Sequence, residues 1–285
     1  MERFTIKQFN EQYPTDEACL TAIFTNRYGA LRRCPDCEKC TTFYRVKERK
    51  CYACQYCGYQ LHPLADTIFH KSDTSLKSWF YAIYLFANSK NGVSAKELER
   101  QLGVTYKTAW RIAKQIRVLF QTPAHKLRKT VEIDDTYIGG ARPGKRGRGA
   151  DGKTVVVGAV QRGGRIAASV VSNLSAETVR PFIEKHVKTG TALMTDEFTT
   201  YRTIRKGYLH RAINHSLGQF VKGKVHTNTI EGFWSQLKRS LSGTYHAVSP
   251  KYLQQYVNEF AYRYSKREWP VSLFFPMLAR AGRPA

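Results

Sequence analysis

His226-Thr-Asn-Thr-Ile-Glu-Gly-Phe-Trp-Ser-Gln-Leu-Lys-Arg239 is the stretch around which the rest of the chain is arranged. Ile230, Phe233, Trp234, Leu237 and Leu241 fall at i, i+3, i+4, i+7 and i+11, the period of a helix with one buried stripe. Glu231, Ser235 and Lys238 form a second line at i, i+4 and i+7, with Asn228 one turn before Glu231. At about 100° per residue this polar line runs beside the apolar stripe. A carboxylate and an ammonium at the edge of a buried face look into a cleft. Taken alone, Glu231 and Lys238 would read as a salt-bridged surface pair.

Two acidic sites upstream change that reading. Thr130-Val-Glu-Ile-Asp-Asp-Thr-Tyr-Ile138 is a β-branched run broken by acids and ended by Gly139-Gly140. Strands are expected at 154–161 and 165–171, then a helix at 175–187 with a weak Ser175/Thr178 cap. A strand at 191–196 ends in Asp196. A short helix, a fifth strand at 209–214 and the helix of Glu231 follow. The order β-β-β-α-β-α-β-α is an α/β mixed sheet with helices. On strand 130–138, Glu132 and Asp134 share one face and Asp135 points to the other. Asp134 is taken as a metal ligand, with Asp135 as the alternative. Acids buried without a cation are costly. Asp134, Asp196 and Glu231, converging from two strands and a helix, suit Mg²⁺ (or Mn²⁺). Two such ions, roughly 3.5–4 Å apart, can activate an attacking oxygen and stabilise a leaving one.

The chain has 285 residues, enough for two or three domains, and 46 Lys plus Arg against 22 Asp plus Glu, a net charge of +24. That excess points to a polyanion, double-stranded DNA above all, because each neutralised phosphate releases counterions. No apolar run approaches the length of a spanning helix, which argues against a membrane partner. The N-terminal residues lack the apolar core of a secretory signal, so a cytoplasmic, nucleoid-associated protein is expected.

Six of the seven cysteines lie between Cys34 and Cys57. Cys34-Pro-Asp-Cys37 and Cys54-Gln-Tyr-Cys57, with 16 residues between them, match the spacing of a four-thiolate zinc site. Cys40 and Cys51 leave an ambiguity, since Cys51-Tyr-Ala-Cys54 has the same form. Gly58 favours the Cys54/Cys57 knuckle, because such turns need a residue tolerant of positive φ. One structural Zn²⁺ is expected. Farther on, residues 76–86 read as an aromatic-rich helix. Ser94 with Glu97 starts a short helix, Gly103 ends it, and Thr105 starts a basic one, the layout of a helix-turn-helix. Tyr106, Lys107, Thr108 and Arg111 would then face the major groove.

These readings divide the chain into 1–72 (zinc ribbon with an N-terminal helix), 73–125 (helix-turn-helix-like), 126–248 (catalytic) and 249–285. The last segment is expected as a helical tail packed on the catalytic core. Lys251, Arg263, Lys266 and Arg267 would lie on the outer side of its helix at 249–267. Lys145, Arg146 and Arg148, in a Gly/Arg/Lys loop, are expected to touch a phosphate backbone.

Glu132 to Gly140, Thr195-Asp-Glu197 with Tyr201, and His226 to Arg239 resemble bacterial insertion-sequence DDE transposases of the ISXO type. The resemblance spans nearly the whole chain, since these proteins also carry a zinc ribbon and a helical DNA-binding region. It implies an RNase H-like core with Asp134, Asp196 and Glu231 as the metal-binding triad. Lys238 would sit near DNA, and His226, Asn228 and Arg239 would contact DNA or the leaving group. It further implies cleavage at element ends, strand transfer into target DNA, and a homodimer or larger assembly on the ends. Asp135 departs from the Glu usual in relatives. Two alternatives stand beside this reading: a zinc-ribbon, helix-turn-helix regulator without catalysis, and a structure-selective nuclease on the same core.

Overall fold

The computed structural model describes residues 4–139, 152–196, 200, 207–213 and 225–284. The loop of Lys145, Arg146 and Arg148, together with Gly140, Glu197, Tyr201, Asn214 and the expected short helix, lies outside these residues. The chain forms two compact units, one of residues 1–119 and 269–285 and the other of 120–268.

In the first unit, α1 (Ile6–Gln12) and α2 (Asp16–Tyr28) start at side-chain caps from Thr5 and Thr15. Three short antiparallel strands follow: β1 (Phe43–Arg45), β2 (Tyr52–Cys54) and β3 (Gln60–Leu61). Helix α3 (Leu76–Asn88) buries Trp79, Phe80, Ile83 and Phe86. Helix α4 (Ala95–Leu102) begins where Ser94 Oγ accepts the Glu97 amide at 3.1 Å and stops at Gly103, whose φ of 63° is left-handed. Helix α5 (Tyr106–Val118) turns Ala109, Ile112, Ala113 and Ile116 inward. A short helix, a left-handed glycine and a longer basic helix thus occur as the sequence implied.

The chain terminus departs from expectation. Residues 274–281 form a helix, α9 (Phe274–Ala281), and it belongs to the first unit, not to the 120–268 unit on which the tail was expected to pack. Phe274 is fully buried against the rings of Phe4, Phe9, Tyr13, Phe80 and Tyr84. The aromatic surface of α1 and α3 needs a cover, and the end of the chain supplies it.

The second unit is a five-stranded mixed sheet. Strands β4 (Thr130–Ile138), β5 (Thr154–Gln161) and β6 (Ile166–Val171) form an antiparallel meander. After α6 (Ala176–His186), β7 (Ala192–Thr195) pairs parallel to β4, and β8 (Leu209–Ala212) pairs parallel to β7. The order β6-β5-β4-β7-β8, with three antiparallel strands followed by two parallel ones, is RNase H-like. Ser175 precedes α6 without making a side-chain cap. Helix α7 (Asn228–Ser240) runs into a π-helical turn (Leu241–Tyr245), and α8 (Pro250–Ser265) follows.

Helices cover both faces of the sheet, which is why β5 reads as a nearly unbroken apolar run. On one side α6 packs Val179, Phe182 and Ile183 onto Val131, Ile133, Val157 and Ala159. On the other, Ile230, Phe233, Trp234 and Leu237 of α7 and Leu253, Val257 and Phe260 of α8 meet Val156, Val160, Ile166 and Ala168. Helix α8 also satisfies the free edge of β6. Gln254 accepts the Val170 amide at 2.7 Å and donates to the Ala168 carbonyl at 3.2 Å, and Ser265 Oγ accepts the Ile166 amide. Arg263 is not on the outer side of α8: it is buried and paired with buried Glu259 at 2.7 Å.

The close approach of α7 rests on Gly158. A Cβ there would lie 2.7 Å from the Trp234 ring, so only hydrogen fits. Gly158→Ala is therefore expected to cost about 1–3 kcal/mol through overpacking. A denaturant melt of the full chain against wild type measures it, and an unchanged midpoint would mean that Trp234 does not rest on the sheet there.

Candidate active site

The acidic residues gather on the α7 face of the sheet. Asp134 pairs with Gly158 across β4 and β5, and the space left by the glycine admits Trp234, whose Nε1 donates to Asp134 Oδ2 at 3.1 Å. The parallel register places Glu132 opposite Met194. Extended by two residues, it sets Asp134 level with Asp196, just beyond the end of β7. From α7, Glu231 accepts a hydrogen bond from Thr227 Oγ1 at 2.6 Å, and Thr227 is itself buried. The alternation of β4 puts Asp135 on the α6 face with Val131, Ile133 and Tyr137.

Burial pushes the Asp134 carboxyl up to about 7; the negative charge of Asp135, then those of Asp196 and Glu231, add to the rise. A backbone hydrogen bond at Asp135 acts in the opposite direction without cancelling it. A desolvated carboxylate pressed by other acids is the electrostatic environment that a divalent cation relieves. On that ground the donor set fits magnesium. The charges of Asp196 and Glu231 both act on Asp134, although the oxygens of the three carboxylates are not all within 4.8 Å of one another.

Glu132, two residues before Asp134, has a different task. It is completely buried and accepts from Arg162 Nε (2.6 Å), Thr229 N (2.8 Å), Thr229 Oγ1 (2.8 Å) and Ile230 N (3.1 Å). The last three donors belong to the first turn of α7, where amides without helical partners carry partial positive charge. Arg162 also donates to the His226 carbonyl at 2.9 Å. His226 Nδ1 lies 3.3 Å from Glu132 Oε1 yet makes no aligned hydrogen bond among the described residues. The sequence marked Glu132 only as a face-mate of Asp134, and it did not single out Thr227, Thr229, Arg162 or the indole N–H of Trp234.

The other expected contacts fall as follows. Asn228, Lys238 and Arg239 are exposed on α7, and Arg239 Nε donates to the Ser235 carbonyl at 3.3 Å. At the start of α5, Tyr106 and Lys107 are exposed, with the Lys96 ammonium 5.0 Å from the Tyr106 ring centre. Thr108 donates its amide to the Thr105 cap, and Arg111 Nη2 donates to Ser72 Oγ at 2.9 Å.

The first unit holds a separate cluster. The sulfurs of Cys34, Cys37, Cys54 and Cys57 lie within 4.8 Å of one another. Cys34 and Cys57 are 3.6 Å apart, and Cys37 and Cys54 3.9 Å. A tetrahedral ion with bonds of about 2.3 Å requires sulfur separations of about 3.8 Å, so the four thiols fit zinc. Burial raises the Cys54 thiol, but hydrogen bonds from Thr41 and from the backbone at Cys57 and Tyr56 outweigh it and bring the group to about 6. Gly58 follows with φ of 74°. Cys51 is buried elsewhere, its sulfur 3.5 Å from Gln60 Oε1, and Cys40 is exposed; neither joins the cluster.

Comparison with known proteins agrees with both units. A family profile described as an ISXO2-like transposase domain matches residues 126–265, and one described as a transposase zinc-ribbon domain matches residues 14–60. An "uncharacterized protein in transposable element ISH50" of Halobacterium salinarum is 27% identical over 252 residues, covering 81% of this chain and 84% of its own. An "uncharacterized transposase-like protein" of Haemophilus influenzae is 28% identical over 105 residues, covering 36% of this chain and 84% of its own.

Two outcomes are expected from this geometry. Elemental analysis of the purified chain should find one zinc per molecule, with Cys37→Ser lowering it and opening residues 34–61 to proteolysis. An equal zinc content in that variant would remove Cys37 from the cluster. For Asp134, the folded state keeps a proton that the unfolded chain gives up near pH 4. Stability of the zinc-loaded protein without magnesium should therefore fall as pH rises from about 4 to about 7 and then level off. Between pH 5 and 8 this group's share is about 1–3 kcal/mol. Asp134→Asn should flatten that slope in urea melts; a slope equal to that of wild type would contradict the burial argued here.

Proposed function

The chain belongs to the ISXO2-like transposase family, and we propose that it cuts DNA at the ends of an insertion sequence and joins them to a target. Asp134, Asp196 and Glu231 are the proposed magnesium-binding triad. The observation that supports this reading is the convergence of β4, the end of β7 and α7: the parallel register brings Asp134 level with Asp196, and the charges of Asp196 and Glu231 both act on the buried Asp134 carboxyl. Magnesium bound there would supply charge stabilisation for phosphoryl transfer.

The chain's own residues would set the geometry. Trp234 holds one oxygen of Asp134 and turns the carboxylate; Thr227 does the same for Glu231. Lys238, on the same line of α7 as Glu231, is placed to meet a phosphate beside the acids. The zinc ribbon and the α4–α5 pair would hold the DNA ends, with Tyr106, Lys107, Thr108 and Arg111 contributed by α5. A dimer or larger assembly, formed when two ends are bound, completes the proposal.

The test uses the full chain, Mg²⁺, a duplex bearing the element end and a target plasmid. Wild type should yield nicked ends and joined products. Asp196→Asn should lower cleavage at least 100-fold while end binding stays within about twofold. Cleavage by Asp196→Asn at the wild-type rate would refute the triad. Nicks without joints would favour a nuclease, and binding without any product a regulator.

A further inference from the structure

We propose that a basic cleft beneath the β5–β6 turn is a second DNA-contact site of this chain, taking the sugar–phosphate backbone of duplex DNA. The proposal rests on the reading of the protein as a transposase and adds a contact surface which that reading does not use. The cleft has a volume of about 420 Å³ and is lined by Lys126, Arg128 and Arg165 together with Leu127, Gln161 and Gly164; no acid lines it. All these residues belong to the 120–268 unit.

Two features separate the cleft from a scatter of solvated cations. The first is that its backbone is fixed. Leu127 is buried, donates its amide to the His186 carbonyl at 2.7 Å and accepts the Lys188 amide at 2.9 Å. The Arg128 amide donates to Gln161 Oε1 at 3.0 Å, and the Gln161 amide donates to the Arg165 carbonyl at 2.9 Å. Gly164 packs so closely on the Gln161 side chain that a Cβ would come within 2.8 Å of Nε2. Lys129, next to Arg128, holds a left-handed φ of 66° without being glycine, while its carbonyl accepts the Ala192 amide. Residues are kept in that region only where their surroundings over-determine it.

The second feature is chemical. Arg128 and Arg165 use only backbone atoms in the fold; among the described residues neither guanidinium meets an acid or a carbonyl. Two forked donors and an ammonium around one open cleft suit phosphate oxygens. The cleft adjoins the start of β4, and Thr130 lies four residues, roughly 13 Å, before Asp134 along that strand. A duplex crossing both places would be held at a second point several base pairs from the acids. The +24 charge of the chain makes such a polyanion the fitting occupant.

The experiment compares Arg128→Ala/Arg165→Ala with Lys185→Ala/Lys251→Ala, a pair that removes equal charge from exposed helix positions. Affinity of the full zinc-loaded chain for a 30-bp duplex of random sequence, about three helical turns, is measured by anisotropy from about 0.1 to 0.4 M NaCl. The cleft pair should lose about 2 from the log–log salt slope, near 0.9 per phosphate contact, and bind about tenfold more weakly. The helix pair should keep the wild-type slope. Equal slopes for the two variants would overturn the cleft. Cleavage with Mg²⁺ by wild type is read separately: its absence would sink the transposase reading, while a slope difference would still identify the cleft as a DNA contact.

Discussion

A fully buried carboxylate holds the 120–268 unit together. Glu132, on the strand that carries Asp134, is clasped by Arg162 and by the first amides of the helix that carries Glu231. Burying a charge of this kind is justified only by complete pairing, and removal of one partner from such a pair typically costs about 3–5 kcal/mol. An apolar contact could join β4 to α7 with equal strength. It could not fix the helix along its own axis, because apolar packing has no donor–acceptor register. The carboxylate does, since it answers two successive amides at the helix start. The position of Glu231 relative to Asp134, 97 residues apart in sequence, follows from that clasp.

This constraint also separates what the sequence disclosed from what it hid. The stripe of Ile230, Phe233, Trp234 and Leu237 is a local pattern, and all four are buried as its period requires. The strands, the left-handed Gly103 and the four clustered cysteines are local too. Glu132 carries the same letter as any ligand, and its role depends on Arg162 and on a helix start nearly 100 residues later. Trp234 looked like core, and most of it is core; only its N–H reaches Asp134. Arg263 read as solvated because a helical period does not reveal a buried Glu259 one turn before it. Helix α9 was hidden for a related reason: its aromatic partners lie in the first 84 residues, and no pattern within 274–281 announces them.

The cysteine cluster and the carboxylates around Asp134 differ in their electrostatics. In the zinc cluster the thiols are split: hydrogen bonds bring Cys54 down to about 6, whereas at Cys57 the backbone hydrogen bond at Tyr59 lowers the thiol but burial and the Cys37, Cys34 and Cys54 sulfurs outweigh it and push it up to about 12. At Asp134, burial and neighbouring acids favour the protonated form, so a cation bound there would displace a proton.

The asymmetry of β4 explains why the neighbouring Asp135 does not share the surroundings of Asp134. Successive side chains leave a strand on opposite faces, so Asp135 shares the side of Val131 and Ile133, under α6, while Asp134 faces α7. A slip of one residue would carry Asp135 to the α7 face but would also send Glu132 to the other side and break the clasp on the helix. Glu132 therefore selects which of two adjacent aspartates faces the helix of Glu231. Gly158 enforces the same choice from the neighbouring strand: the gap that admits the Trp234 ring lies opposite Asp134, so the indole N–H can reach that carboxylate alone of the pair.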